Sequence, residues 1–98
     1  MRTYRNFDDY MIESLKDPKE AALYLTAAAE ENDMALLLDG LALVAKAHGV
    51  SRFAKKASLS RMGLYKLISK KGNPQLKTFL SLLAASGLKI SFEPAAAA

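Results

Sequence analysis

Helix start and stop signals recur along this chain at short intervals. They are polar N-cap residues, prolines placed near helix starts and glycines placed at helix ends. In chain order they are DPKE at residues 17–20, Asp33, Gly49, Ser51, Ser60, Asn73 with Pro74, and Gly87. Between them, apolar residues mostly recur at three- and four-residue spacing, which is the period of a helix face. We therefore predict an all-α bundle of five to six short helices.

Two segments depart from this amphipathic pattern. Residues 34–48 are apolar nearly all round, which predicts a buried central helix. LKISF at residues 88–92 alternates apolar with polar side chains ahead of a proline, which predicts a short half-buried strand. One strand needs a partner, and residues 2–7 or the same strand of a second copy are both possible.

The chain length of 98 residues predicts a single domain over residues 1–98. Its parts are an acidic N-terminal segment and helix (1–33), a helix-turn-helix bundle (34–87), the strand (88–92) and a tail (93–98). Eight residues are assigned to the core by their helical spacing. They are Phe53, Ala54, Leu64, Leu67, Leu76, Phe79, Leu80 and Leu83.

Charge divides the chain into two unlike parts. Residues 1–33 carry four basic and eight acidic side chains, whereas residues 34–98 carry ten basic and two acidic ones. From Lys46 to Lys89 there is no acidic residue. A surface of one sign is typical of proteins that meet phosphates, so nucleic acid is favoured as a partner over a merely solubilising surface.

Composition narrows the possible chemistry. There is no cysteine and one histidine, His48, so no metal or other cofactor is expected. The acidic pairs Asp8/Asp9 and Glu30/Glu31 lie at helix ends outside any recognisable pocket, so we do not expect an enzyme. No apolar run approaches the roughly 18 residues that span a bilayer, and a cytoplasmic protein without a membrane partner is expected.

SLSRMGLYKLIS, residues 58–69, predicts a short helix with two distinct faces. At about 100° per residue, Leu64, Leu67 and Ile68 fall in one arc of the helix, which is expected to face the core. The opposite face carries Arg61, Met62, Tyr65 and Lys66. A methionine beside a tyrosine is unusual on a plain solvated surface, which leaves two interpretations: a solvated face, or a face that contacts a partner. The short SLS connection to the preceding helix is typical of a helix-turn-helix unit.

The span FAKKASLSRMGLYKLISKKGNPQLKTF, residues 53–79, resembles without a gap the helix-turn-helix of Xre-type (lambda-repressor-like) regulators. With DPKEAALYL and SGLKISFEP it is similar to HigA-like antitoxins, the antidote family of prophage-type addiction modules, over residues 7–93. Two positions depart from the pattern. The turn position usually given to glycine is Ser58, which favours a different turn type because positive φ costs a non-glycine residue roughly 1 kcal/mol. The usual glutamine that begins the second motif helix is replaced by Val50.

The resemblance implies that the helix after the turn is a recognition helix in the DNA major groove. Arg61 would contact guanine O6 and N7, Met62 a thymine methyl, and Lys66 a second guanine or a phosphate. Tyr65 would donate to a phosphate or simply pack along the helix. The expected phosphate contacts are Ser51, Arg52, Lys55, Ser60, Lys70, Lys71 and Asn73.

The resemblance also implies a function: a homodimeric repressor of its own operon that binds double-stranded operator DNA and neutralises a RelE/HigB-like toxin. The toxin contact is expected at Asp8, Asp9, Glu13 and Glu20, with an apolar anchor among Phe7, Tyr10, Met11 and Tyr24. Surfaces that a second copy could cover are the strand and Leu36, Leu43 and Leu82. The acidic segment could instead be a solvated cap. The alternative function is a protein-interaction module whose basic face binds an acidic partner and whose helix-turn-helix is vestigial.

Overall fold

The computed structural model describes residues 7–69 and 73–96, except for the side chain of Asp8. Within these ranges the chain is all-helical, with six α-helices and no strand. The helices are α1 (Phe7–Ser14), α2 (Pro18–Glu30), α3 (Met34–His48), α4 (Val50–Lys56), α5 (Arg61–Leu67) and α6 (Leu76–Ala85). The all-α prediction is confirmed.

The predicted strand over residues 88–92 is wrong for the structure of a single chain. These residues are irregular, and residues 89–96 take part in none of the backbone hydrogen bonds found outside the helices of the described ranges. The physical reason is that a strand exists only through pairing, and no described segment lies beside this one as a ladder. Of residues 2–7, proposed as one partner, residues 2–6 lie outside the described ranges and Phe7 begins α1.

Capping explains where α2 and α3 begin. The Asp17 side chain accepts a hydrogen bond from the Lys19 backbone N–H at 2.9 Å, and Pro18 occupies the first helical position. The Asp33 side chain accepts from the Leu36 N–H at 3.2 Å. Both predicted N-caps are therefore confirmed.

Two predicted helix starts are wrong. Gly49, with φ of +92°, ends α3 and is also the residue before α4, so α4 begins at Val50 and Ser51 is not its cap. Glycine makes this change of direction possible within one residue. Pro74 does not open α6 either, because Gln75 keeps an extended backbone (φ −65°, ψ 155°) and the helix begins after it.

The central helix of the bundle is α3, which packs against α1, α2 and α4, while α4 also contacts α5 and α6. Leu38, Leu41 and Val44 of α3 are fully buried, as the sequence predicts. No single helix in the described ranges is long and apolar enough to cross a membrane; α3 and α4 meet that length and composition only when taken together, and they are bent by 107°.

Four leucines are placed differently from their prediction. Leu76 and Leu80, assigned to the core, are 68% and 39% exposed, because α6 turns the face with Leu82 and Ala85 inward. Leu43 and Leu82, proposed as surfaces for a second copy, are instead buried within the chain.

Candidate nucleic-acid interface

A four-residue turn, residues 57–60, joins α4 to α5. The Ser58 N–H donates to the Lys55 carbonyl at 3.1 Å, and the Leu59 N–H donates to the Ala54 carbonyl at 2.8 Å. Ser58 has φ of +61°. The expectation of a different turn type is therefore wrong: serine adopts the left-handed conformation and bears its strain.

Ser60 caps α5. Its Oγ accepts a hydrogen bond from the Gly63 N–H at 2.9 Å. A Cβ at Gly63 would lie 3.0 Å from that oxygen, so glycine leaves room for the cap. The Ser60 hydroxyl proton remains available to a phosphate, because the oxygen is the acceptor in the cap.

The helix α5 has the two faces that its periodicity predicts. Leu64 and Ile68 are buried, and Leu67 is half-buried. The outer face carries Arg61, Met62, Tyr65 and Lys66, all exposed. Met62 is 73% exposed, whereas a methionine that packs within its own chain is usually buried.

Arg61 is held by both helices. Its Nη1 donates to Ser51 Oγ at 3.1 Å, and its guanidinium carbon lies 5.8 Å from the centroid of the Tyr65 ring, within cation–π range. A guanidinium has five N–H donors, so this contact leaves others free to bind a partner. Ser51, assigned from the sequence to phosphate contact, thus also orients Arg61.

A basic concavity lies between α1, the end of α3, the start of α4 and the start of α5. Its charged side chains are Lys16, Lys46, Arg52 and Arg61, with His48 beside them; none of the described residues that line it is acidic. Lys16 also forms an ion pair with Glu13 at 3.1 Å. The arrangement offers several positive charges to one anion-rich surface.

Lys16 and Lys46 were not predicted as members of this site. Lys46 begins the basic stretch of the chain, so charge alone could have found it. Lys16 follows the acidic helix α1 and reaches the concavity because α1 packs against α3. No local sequence signal predicts the packing of α1 against α3.

The ring of His48 is half-buried and meets Phe53 edge to face, with 5.8 Å between ring centroids. Burial, followed by the positive charges of Lys56 and Arg52, lowers the pKa of His48 below 6.5. The imidazole is therefore neutral at pH 7 and adds no charge to the basic concavity there.

The other predicted phosphate contacts divide into two groups. Arg52 and Lys55 are exposed on α4, and Asn73 is exposed ahead of α6. Lys70 and Lys71 lie outside the described ranges.

Comparison with known proteins identifies the family. Residues 3–94 match a family model described as "probable addiction module antidote protein". The chain belongs to this addiction module antidote family. A relative from Haemophilus influenzae, described as "uncharacterized protein", is 34% identical over 89 residues, which cover 91% of this chain and 90% of the relative. No solved structure matches the chain. The predicted antidote family is confirmed, and an antidote implies a toxin as partner in general.

The predicted toxin contacts lie on α1 and α2. Asp9 and Glu13 are half-buried on α1, and Glu13 is the ion-pair partner of Lys16. Glu20 is exposed on α2, and the side chain of Asp8 lies outside the description. The acidic and basic surfaces therefore adjoin at the Glu13–Lys16 pair.

A shallow cleft between α1 and α2 places apolar side chains beside Glu20. Tyr10 and Leu23 line it and are 51% and 68% exposed. Leu23 was not predicted as an anchor; it lies on the exposed face of α2, whereas Ala21, Leu25 and Ala28 of the same helix are buried. Phe7 is also 68% exposed. The remaining predicted anchors, Met11 and Tyr24, pack partly against the core.

Proposed function

We propose that this antidote is a DNA-binding, homodimeric autorepressor that neutralises a RelE/HigB-like toxin. The observation that carries the DNA-binding proposal is the position of Arg61: it is oriented by Ser51 and Tyr65 at the opening of α5 and lines the basic concavity. A preoriented guanidinium beside other cations suits a site that reads a base edge while neighbouring charges meet phosphates.

In this proposal, α4, the turn and α5 form a lambda-repressor-like helix-turn-helix, with α5 in the major groove. Arg61 donates its fork to guanine O6 and N7, and Met62 covers a thymine methyl. Lys66, about one turn further on, reaches a second guanine or a phosphate.

Phosphates on either side of the groove are then met by residues around α5. The Ser51 hydroxyl still has its proton to donate, since its oxygen accepts from Arg61. Arg52, Lys55 and Lys46 supply charge but read no sequence. Their role is to fix how the helix sits in the groove.

Two copies are required because α5 has only seven residues and can read only a few base pairs. A two-fold pair presents two such helices to half-sites about 34 Å apart, and so multiplies specificity. The operator is accordingly proposed to be an inverted repeat.

The toxin is proposed to bind the α1–α2 surface. RNA-cleaving toxins need a basic face for their substrate, and Glu20 lies beside the exposed side chains of Tyr10 and Leu23. Charge attraction would accelerate association, while the apolar side chains would hold the complex. The basic concavity would repel the basic face of the toxin.

The experiment that tests this function has two steps. The chain is co-expressed with the product of the neighbouring open reading frame and purified by a tag on that product; the complex and the free chain are then tested for binding to the DNA upstream of the gene. We expect co-purification and a shift of the upstream fragment. Co-purification with no shift at low salt would favour the alternative, a protein-interaction module with a vestigial helix-turn-helix. A shift without co-purification would support the DNA-binding proposal and contradict the proposed toxin partner. Failure of both would contradict the proposed function as a whole.

A further inference from the structure

The chain that follows α6 has the sequence pattern of a strand but no strand partner in the described ranges. Gly87, with φ of +78°, ends α6, and the Leu88 N–H donates to the Leu83 carbonyl at 2.9 Å. Beyond that bond, Ile90 and Phe92 are 44% and 89% exposed. Alternating residues with open backbone groups and exposed large side chains form an edge that natural proteins normally cover.

This segment lies in a groove between α2 and α6 that has both apolar and charged lining residues. The apolar side chains of the groove include Leu25, Phe79, Leu83, Leu88 and Ile90, and its charged ones are Glu30, Lys89 and Glu93. Leu88 already packs against the core. Because side chains two apart in a strand share a face, a strand that keeps Leu88 inward also turns Ile90 and Phe92 toward the groove side.

We propose that residues 88–93 are the dimerisation element, and that the segments of two copies pair as antiparallel strands about a two-fold axis at Ser91. In that register Lys89 lies opposite Glu93 of the second copy, and Ile90 lies opposite Phe92 of the second copy. By symmetry each pairing occurs twice, as an isologous interface requires.

The self-complementary charges favour a second copy as the occupant. Glu93 is one of only two acidic residues in residues 34–98, and it lies four residues after Lys89. Only an antiparallel pair centred between them, at Ser91, brings both charges face to face with their opposites. Opposite charges across a strand pair stabilise it, as do apolar pairs of this size.

Neighbouring registers of the strand pair lose the facing charges or the apolar pairs. A pair centred at Ile90 sets Lys89 opposite Ser91 and leaves Glu93 without its cation. A pair centred at Phe92 sets Glu93 opposite Ser91 and leaves Lys89 without its anion. A two-fold axis that lies between two residues, instead of at one residue, sets apolar side chains opposite polar ones.

The pairing also gives an account of the two exposed side chains. One face of the two-stranded ribbon would carry Leu88, Ile90 and Phe92 from each copy, over the apolar side chains of the grooves. The other face would carry Lys89, Ser91 and Glu93, which pairing would turn out of the groove that they line in the single chain. The inference extends the proposed function, which needs two copies, by assigning the surface that joins them.

Cysteine cross-linking tests the register directly, since the chain has no cysteine of its own. Ser91→Cys places the two thiols opposite each other, within the Cα separation that a disulfide spans. Lys89→Cys is the matched control, because its two thiols would be four residues, about 13 Å, apart along the strands. We expect a covalent dimer of Ser91→Cys under mild oxidation and little from Lys89→Cys. A mixture of Lys89→Cys and Glu93→Cys chains should cross-link to each other.

Charge exchange provides an independent measurement. Lys89→Glu and Glu93→Lys should each weaken self-association at low salt by roughly tenfold, because two facing pairs become repulsive. The double variant Lys89→Glu/Glu93→Lys should restore it. The dimer dissociation constant is measured by sedimentation, with helix content by circular dichroism to verify folding.

The possible outcomes separate this inference from the proposed function. A dimer in which Ser91→Cys cross-links no better than Lys89→Cys would overturn the strand pairing but leave DNA binding by a dimer intact. A chain that is monomeric both free and on the upstream DNA would overturn both. If Lys89→Glu alters capture of the toxin but not self-association, the segment belongs to the toxin interface and the inference is wrong.

Discussion

Arg61 is the side chain on which the DNA-binding proposal depends most directly. Its contacts to Ser51 and Tyr65 limit the directions that the guanidinium can take. A preoriented fork loses less conformational freedom on binding than a flexible cation does. Charge and hydrogen-bond geometry at this position can therefore be separated by substitution.

Three variants separate these contributions. Arg61→Ala should cost about 1–3 kcal/mol on the upstream DNA and flatten discrimination at one base pair. Arg61→Lys should keep the salt dependence but lose most of that discrimination, because lysine has no bidentate fork. Lys55→Ala should weaken all sequences alike and lower the salt slope by about one. Fluorescence anisotropy with single-base operator variants measures all three; equal losses on every sequence for Arg61→Ala would rule out base reading by this residue.

His48 makes stability depend on pH near neutrality. Burial, together with Lys56 and Arg52, holds the pKa of His48 below 6.5 in the folded chain, so the unfolded chain binds the proton first as the pH falls. The free energy of unfolding should therefore decline as the pH falls from about 7 through 6.5, until the folded chain is protonated as well. His48 is the one histidine and most carboxylates titrate lower, so His48→Gln should remove the decline between pH 7 and 5.5 in urea unfolding. A decline of the same size in both proteins would contradict this assignment.

The turn between α4 and α5 is the element that sets the position of α5. It holds Ser58 at φ of +61°, a conformation that glycine adopts without penalty. Ser58→Gly should therefore raise the free energy of unfolding by up to about 1 kcal/mol. The same change inside α6, Ser81→Gly, should lower it by about 0.5–1 kcal/mol. Denaturant unfolding of both variants checks the opposite signs, and a loss of stability at Ser58 would show that the strain is not stored there.

Elements whose signals are local could be predicted from the sequence. The caps at Asp17, Asp33 and Ser60 and the two faces of α5 need only residues within one or two turns. The helix α1 was not predicted, because Phe7–Ser14 has no recognised cap signal. Its position is set by packing against α3.

Features that depend on distant contacts could not be predicted. The alternation in residues 88–92 is a valid strand pattern, but pairing requires a partner that one sequence does not name. The hydrogen bond between Arg61 and Ser51 joins two helices whose angle is set by tertiary packing. Helical spacing likewise could not tell that Leu76 and Leu80 lie outside the core, since α6 is apolar on most sides.

At the scale of the whole molecule, charge divides the chain into an acidic and a basic part. Eight of the ten acidic residues lie within residues 1–33, whereas the cations concentrate from Lys46 onward. The surfaces meet where Glu13 pairs with Lys16. A toxin on the acidic surface would therefore lie near the basic concavity, and its charge could influence DNA binding.

Toxin capture tests the acidic surface. Replacing Asp8, Asp9, Glu13 and Glu20 together with Ser or Gln should slow association with the toxin at low salt, because attraction mainly raises the association rate. Glu30→Gln/Glu31→Gln removes charge at the far end of α2 and serves as the control. Stopped-flow mixing measures the rate, with DNA binding measured in parallel. An unchanged rate in the fourfold variant would remove this surface from the toxin contact.

The salt dependence of DNA binding tests the central claim most directly. Affinity is measured from low to high salt for the fragment upstream of the gene and for a scrambled fragment of equal length. We predict a linear fall of log affinity with log salt, with a slope of about −0.9 for each phosphate neutralised. At physiological salt the upstream fragment should bind at least about 10³-fold more tightly than the scrambled one. Equal affinity for both fragments at every salt concentration, or no binding even at low salt, would contradict sequence-specific DNA binding by this antidote.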